Sequence, residues 1–233
     1  MTSQPPIYRG YRFPPDIISH AVWLYHRFGR SFRDVEDLLA ERGITGTYET
    51  IRQWCLTVGR EYARRLRARR GRQGDTWYLD EVFVRIQGRQ QYLWRAIDED
   101  GKVIDILVQP RRNRRAAIRF FRKLLKRQGG TPRRLITDKL PSYGAALRIV
   151  MPSVVHRTDQ YANNRAEVSH ASTRQRERQM RGFKSARQLQ CFASVHGVVQ
   201  NLFRVGRHLL QADHPRLLRT RAFGEWDTVA CVC

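Results

Sequence analysis

The chain has 233 residues, of which 41% are hydrophobic and 10% aromatic, enough for a packed core and too many for wholesale disorder. Lys and Arg number 44 against 21 Asp and Glu, a formal charge of +23 that calls for a polyanionic partner. No stretch approaches the roughly 18 apolar residues of a membrane helix, and Met1-Thr2-Ser3-Gln4-Pro5-Pro6 lacks the apolar heart of a signal peptide, so a cytoplasmic protein without a membrane partner is expected.

Arginine dominates the bases. Only Lys102, Lys123, Lys126, Lys139 and Lys184 are lysines, and the planar guanidinium suits two-point contacts with phosphate. Cys55, Cys191, Cys231 and Cys233 form no CxxC pair and no zinc-type spacing with histidine, which argues against a structural metal or a disulfide framework.

Pro14-Pro15 opens a segment in which Ile17, Ile18, Ala21, Val22, Leu24, Tyr25 and Phe28 recur at helical spacing until Gly29, predicting a first helix over about 15–28. Ser31 with Asp34 three places on is a capping pattern, and Phe32, Val35, Leu38 and Leu39 form the stripe of a second helix that stops at Gly43. After Gly43-Ile44-Thr45-Gly46, Thr47 caps a third helix with Ile51, Cys55, Val58 and Tyr62 inward. This is the pattern of a helix-turn-helix, which a plain three-helix bundle shares. In the DNA-binding reading, Tyr48, Glu49, Arg52 and Gln53 meet base edges. Arg60, Arg64, Arg65, Arg69 and Arg70, within a run of seven arginines from Arg60 to Arg72, follow a phosphate backbone. The helical period breaks at Arg69-Arg70-Gly71-Arg72-Gln73-Gly74, so the expected first domain is 1–72.

From Thr76 the pattern becomes extended. Trp77 to Ile86, a turn at Gly88, Tyr92 to Ile97, the turn Asp98-Glu99-Asp100-Gly101 and Val103 to Val108 predict three antiparallel strands in meander. A helix over Asn113–Arg127 with Ala116, Ala117, Phe120, Phe121 and Leu124 inward leads to a short strand Arg134–Asp138, which should run parallel to the sheet after its crossover. A small helix from Pro141, a strand near Val154–His156 and a long helix over about Asn163–Arg181 complete an order that matches ribonuclease-H-like nucleotidyltransferases. The expected architecture is α/β, a helix-turn-helix domain followed by a ribonuclease-H-like mixed-sheet domain over 73–212, with a C-terminal tail over 213–233.

Asp80 lies inside the first strand, where an unpaired carboxylate is costly, and Asp138 ends the fourth. If those strands are neighbours the two acids converge, and Glu167 on the long helix would add a third oxygen donor for Mg²⁺ or Mn²⁺. Each acid also has a structural reading, as a cap, a turn residue or an arginine partner. Glu81 is assigned to the opposite strand face. Lys139, Arg174 and Arg178 are candidates for holding phosphates, Asn163 and Asn164 for capping the long helix or touching DNA, and His170 for orienting Glu167 or touching a phosphate.

The motifs Trp77-x-x-Asp80-Glu81, Tyr92-Leu93-Trp94-Arg95-Ala96-Ile97-Asp98, Arg111-Arg112-Asn113, Thr137-Asp138-Lys139-x-Pro141-x-Tyr143, His156-Arg157, Asn163-Asn164-x-x-Glu167-x-x-His170 and Gly182-Phe183-Lys184-Ser185, in this order, resemble the insertion-sequence-six family of bacterial DDE transposases. Tyr78-Leu79 stands where that family more often has His-Met, and the 28 residues between Asp138 and Glu167 are several fewer than its commonest spacing. The resemblance implies Asp80, Asp138 and Glu167 as a metal-binding catalytic triad and two Mg²⁺ or Mn²⁺ ions. It also implies binding of terminal inverted repeats, joining to target DNA, and an oligomer, at least a dimer, acting on the bacterial nucleoid. Two rivals remain at this stage: a DNA-binding regulator without catalysis, and a nuclease of the same fold that cuts without joining.

Overall fold

A computed structural model describes residues 6–71, 73–158, 163–203 and 213–232. Helices α1 (Pro15–Arg27), α2 (Phe32–Ala40) and α3 (Tyr48–Ala68) form where periodicity and capping place them. Ser31 and Asp34 make a reciprocal capping box at α2, and Thr47 Oγ1 accepts from the Thr50 amide at 3.3 Å at α3. Ile18, Val22, Val35, Leu39, Ile51, Trp54 and Val58 are buried between them. A Cβ on Gly59 would sit 3.3 Å from Val22, so this glycine lets α1 and α3 approach closely.

The segment read as a tail is instead a structural member of this unit. Residues Asp213–Ala230 form α9, and its Trp226, 2% exposed, meets Tyr62 of α3 edge-on with ring centroids 5.1 Å apart. Tyr8 is hydrogen-bonded to Tyr62 and donates to the Ala230 carbonyl at 2.5 Å, so the start of the chain, α3 and α9 share one buried polar contact. In the later part of α8 (Ala186–Phe203), Gln200 Nε2 donates to the His26 and Arg27 carbonyls at 3.2 and 3.0 Å, satisfying acceptors that the end of α1 leaves open. Met1–Arg70 and Ser194–Cys233 thus make one unit and Gly71–Ala193 the other. The first division falls close to the expected 72; the second falls inside α8, because the apolar faces of α8 and α9 complete the core around α3.

The second unit is built on a sheet of order β3-β2-β1-β4-β5, from β1 (Thr76–Ile86), β2 (Arg89–Asp98), β3 (Val103–Gln109), β4 (Arg134–Ile136) and β5 (Val155–Arg157). β1, β2 and β3 are antiparallel, while β4 and β5 add in parallel, as their crossovers require. Gln87 and Gly88, at φ +49° and +75°, make the two-residue β1–β2 turn. This is the ribonuclease-H-like arrangement. Helices α4 (Arg114–Gln128) and α5 (Pro141–Val150) cover one face, packing Ala117, Phe120, Phe121, Leu124, Tyr143 and Leu147 against Trp77, Leu79 and Trp94. The other face meets α6 (Asn164–Ser169), α7 (Ala171–Gln179) and the beginning of α8, whose Gln190 accepts from the Val108 amide at 2.8 Å. The long helix expected over 163–181 is divided at His170. Buried Arg95 donates there to the Ser169 carbonyl and the Thr173 hydroxyl, drawing a helix acceptor toward the sheet. Among the described residues no helix is long and apolar enough to cross a membrane.

Trp226→Ala should lower stability by about 3–5 kcal/mol, measured by urea unfolding. A midpoint equal to the wild type would show that α9 is not part of this core.

Candidate active site

Alternate residues of β1 face opposite sides of the sheet, so Trp77, Leu79 and Glu81 face α4 and α5 whereas Asp80 faces α6 and α7. β4 pairs with β1 over Thr76–Tyr78 and then ends, leaving a notch beside Leu79–Glu81. Asp138 enters this notch from the chain leaving β4. One carboxylate oxygen from each of Asp80, Glu81 and Asp138 lies within 4.8 Å of the others. Thus the structure brings Asp80 and Asp138 together, and adds an acid that strand alternation alone had set aside. Glu81 does lie on the opposite face; it reaches the cluster because β4 is too short to separate the faces there.

The cluster is held by specific donors. The Asp138 Oδ1 atom accepts from the Leu140 amide at 3.0 Å in a local turn, and its Oδ2 accepts from Arg112 Nη2 at 3.0 Å. Arg112 Nε also donates to Glu81, whose second oxygen accepts from the buried Tyr143 hydroxyl. Burial pushes the Glu81 carboxyl above the usual carboxylate range and the Asp138 charge adds to this, while the hydrogen bonds from Tyr143 and Arg112 oppose it. Tyr143 is itself raised well above the usual phenol range, first by burial and then by Glu81. Arg112 and Tyr143 belong to motifs already noted in the sequence, but nothing in their spacing tied them to Glu81.

Of the two roles expected of His170, orienting Glu167 falls on a side chain outside the described residues. The His170 side chain is 3% exposed, too enclosed to reach a phosphate, and its Nε2 lies 3.5 Å from Asp80 Oδ2. Burial, then the charges of Arg95 and Arg174, hold it well below the usual imidazole pKa. Asn163 Nδ2 donates to the Leu79 carbonyl at 2.8 Å and ties the start of α6 to β1 immediately before Asp80. α6 packs against β1 and β2. Glu167 belongs to α6, but its side chain, like those of Asn164 and Arg165, lies outside the described residues.

The expected DNA contacts divide by environment. Lys139, Arg174 and Arg178 are exposed, as are Tyr48, Gln53, Arg60 and Arg64. Glu49 holds Arg52 at 2.6 Å and Gln53 at 3.0 Å on the α3 surface. Arg65 instead points into its own unit, toward Glu61, the Val229 carbonyl and Cys231 Sγ at 2.8–2.9 Å, because α9 covers that side of α3. Arg69 reaches Glu225 of α9 at 2.5 Å, and Arg70 has its Nη2 buried.

A family model described as a DDE domain, DDE_Tnp_IS240, matches residues 74–206. The chain is 31% identical over 189 residues to the transposase for insertion sequence-like element IS431mec of Staphylococcus aureus strain N315, covering 77% of this chain and 82% of that protein. The chain belongs to the insertion-sequence-six family of DDE transposases. The same identity and coverages hold for the S. aureus transposase for insertion sequence element IS257 in transposon Tn4003. Among solved structures, the HTLV-2 integrase catalytic core domain in complex with magnesium is similar with TM-score 0.43 and 12% identity, covering 62% of this chain and 94% of that one.

The transposase is therefore an enzyme of metal-dependent DNA chemistry, and its carboxylate cluster fits a divalent cation. All the donors are hard oxygens, they converge from two strands, and like charges this close need a positive partner beyond Arg112. Tyr143→Phe removes a donor from a buried carboxylate, so it should cost about 1–3 kcal/mol in urea unfolding. An unchanged midpoint would mean that the Tyr143–Glu81 hydrogen bond does not hold the site.

Proposed function

We propose that this transposase binds the terminal inverted repeats of its element through a helix-turn-helix formed by α2 and α3, cuts at the element's ends, and joins them to target DNA as an oligomer of at least two copies. The observation that carries this reading is the meeting of Asp80 and Asp138 in the notch where β4 ends. Asp80, Asp138 and Glu167 would hold the metal, Mg²⁺ or Mn²⁺ by donor chemistry and two ions by family resemblance. When bound, such ions activate an attacking oxygen and stabilise a leaving oxygen in an in-line phosphoryl displacement.

The protein's own groups fix the geometry. The His170 ring lies beside one oxygen of Asp80, while Arg112 and the Leu140 amide hold the two oxygens of Asp138. Asp138 therefore does not have to be reoriented when substrate arrives. Exposed Lys139 stands next to Asp138, and Arg174 and Arg178 present charge along α7; these are the groups proposed to hold phosphates near the cut. Water attacks first and leaves a 3′-hydroxyl at the element's end; that hydroxyl then attacks target DNA, so one bond is made as another breaks at each step.

Tyr48, Arg52 and Gln53 occupy the first turns of α3, where a recognition helix reads base edges. The pairing of Arg52 and Gln53 with Glu49 is exposed, worth little in solvent, and exchangeable for base contacts. Arg60 and Arg64 are the exposed cations of this helix left to follow the backbone.

Glu167→Gln keeps size and hydrogen bonding but removes the charge that holds a divalent ion. Cleavage and joining should fall by about 10³-fold or more, since bound metal contributes several kcal/mol to the transition state. End binding and folding should stay near wild type, as should the activity of Glu177→Gln. Assays with labelled end-containing duplexes test this, and normal activity of Glu167→Gln would remove this residue from the site.

A further inference from the structure

Helix α4 carries the bases Arg114, Arg115, Arg119, Arg122, Lys123, Lys126 and Arg127 and no acid. Six of the seven fall into two sets, with Arg114 apart from both. Lys123 and Arg127 lean to one side and pair with the buried carboxylate of Asp105 at 2.8 and 2.7 Å. Spacings of four, three and four residues place Arg115, Arg119, Arg122 and Lys126 within about 60° of one another on a regular helix. The buried face, Ala116, Ala117, Phe120, Phe121 and Leu124, lies opposite. All four cations of the row are exposed, and none has an acidic partner among the described residues.

Elsewhere on the surface, some cations are matched by a local acid. Arg52, Arg64 and Lys102 each have a carboxylate within 2.5–2.9 Å, close along the chain. Along α4, by contrast, like charges stand at i,i+4 between Arg115 and Arg119 and between Arg122 and Lys126, an arrangement that weakens a helix unless an external anion offsets it. The row extends about 17 Å. It starts beside the carboxylate cluster: Asn113 caps α4, and the preceding Arg112 is the residue that holds Asp138.

We propose that this row binds the target duplex, through its phosphates and without regard to sequence. This rests on the joining reaction proposed above. Strand transfer needs a second duplex of arbitrary sequence, and cations at helical spacing meet a backbone that every sequence shares, whereas the element's ends are fixed sequences suited to base readout by α3. A duplex lying along α4 from Arg115 to Lys126 has its backbone directed to the carboxylates at the α4 amino end.

The test compares full-length wild type with R115Q/R119Q/R122Q/K126Q and with the charge-keeping R115K/R119K/R122K. With precut ends, joining into a plasmid should fall at least about tenfold in the glutamine variant, because losing four phosphate contacts flattens the log affinity against log salt slope for random duplex by about 3.6. Cleavage of intact ends and binding of the repeats should remain at wild-type levels, as should joining by the lysine variant. The thermal midpoint without DNA should hold or rise as like charges are removed, so a folding defect would be visible as its fall. Joining at the wild-type level with an unchanged salt slope would overturn the assignment. So would equal losses of end cleavage and joining, which would place the element's own end on the row. Wild-type protein that neither cleaves nor joins would instead overturn the proposed function, and with it a target for the row.

Discussion

β4 pairs with β1 from Thr76 to Tyr78 and goes no further. Everything at the candidate site depends on where that pairing stops. A longer β4 would run beside Asp80 and Glu81 and keep the two faces of β1 apart, since successive side chains alternate across a strand. Because it stops, Asp80 from one face and Glu81 from the other share a notch with Asp138. Close carboxylates repel, and the fold offsets this with Arg112, the Tyr143 hydroxyl and the Leu140 amide, while the His170 ring lies beside Asp80. These residues come from the loop before α4, from α5 and the residue before it, and from the junction of α6 with α7, so segments on both sides of the sheet converge on one short strand end.

The formal charge of +23 is distributed as unevenly as the acids. In the first unit, arginines along α3 are matched by Glu49, Glu61 and Glu225, and Arg65 helps to fasten α9. In the second, the outer row of α4 has cations without matching acids. Paired surface charges contribute little to stability and unpaired ones at helical spacing subtract from it, so the row is better understood through what it attracts than through what it holds together. In the proposed function, the two units then divide DNA recognition: base readout from α3, and backbone contact near the carboxylates.

Much of this was legible in the chain. Apolar periodicity, Ser31, Thr47 and Pro141 locate α1 to α5 to within a few residues, and the run of Trp77 to Ile86 followed by Gly88 gives the first hairpin. Asp80 and Asp138 could be paired only on the condition that their strands are neighbours, and the parallel pairing of β4 with β1 meets it. Glu81 could not be placed in the same way: whether an acid on the other face joins the cluster depends on how far β4 extends, and Ile136-Thr137-Asp138 reads equally well as a continuing strand. The burial of His170 beside Asp80 was not legible either, because a histidine near a glutamate has the same spacing whether its ring faces solvent or the sheet. α9 was missed although Ala222, Trp226, Val229 and Ala230 recur at helical spacing, because without a known partner such a face does not show which core it completes.

The most direct measurement is calorimetric titration of Mn²⁺ into full-length wild type, Asp80→Asn and Asp138→Asn. A cation held between these strands predicts saturable binding by the wild type, weakened at least about tenfold in both variants, whose unfolding midpoints should remain close to the wild type. Equal binding by all three proteins would contradict a metal site in the notch at the end of β4.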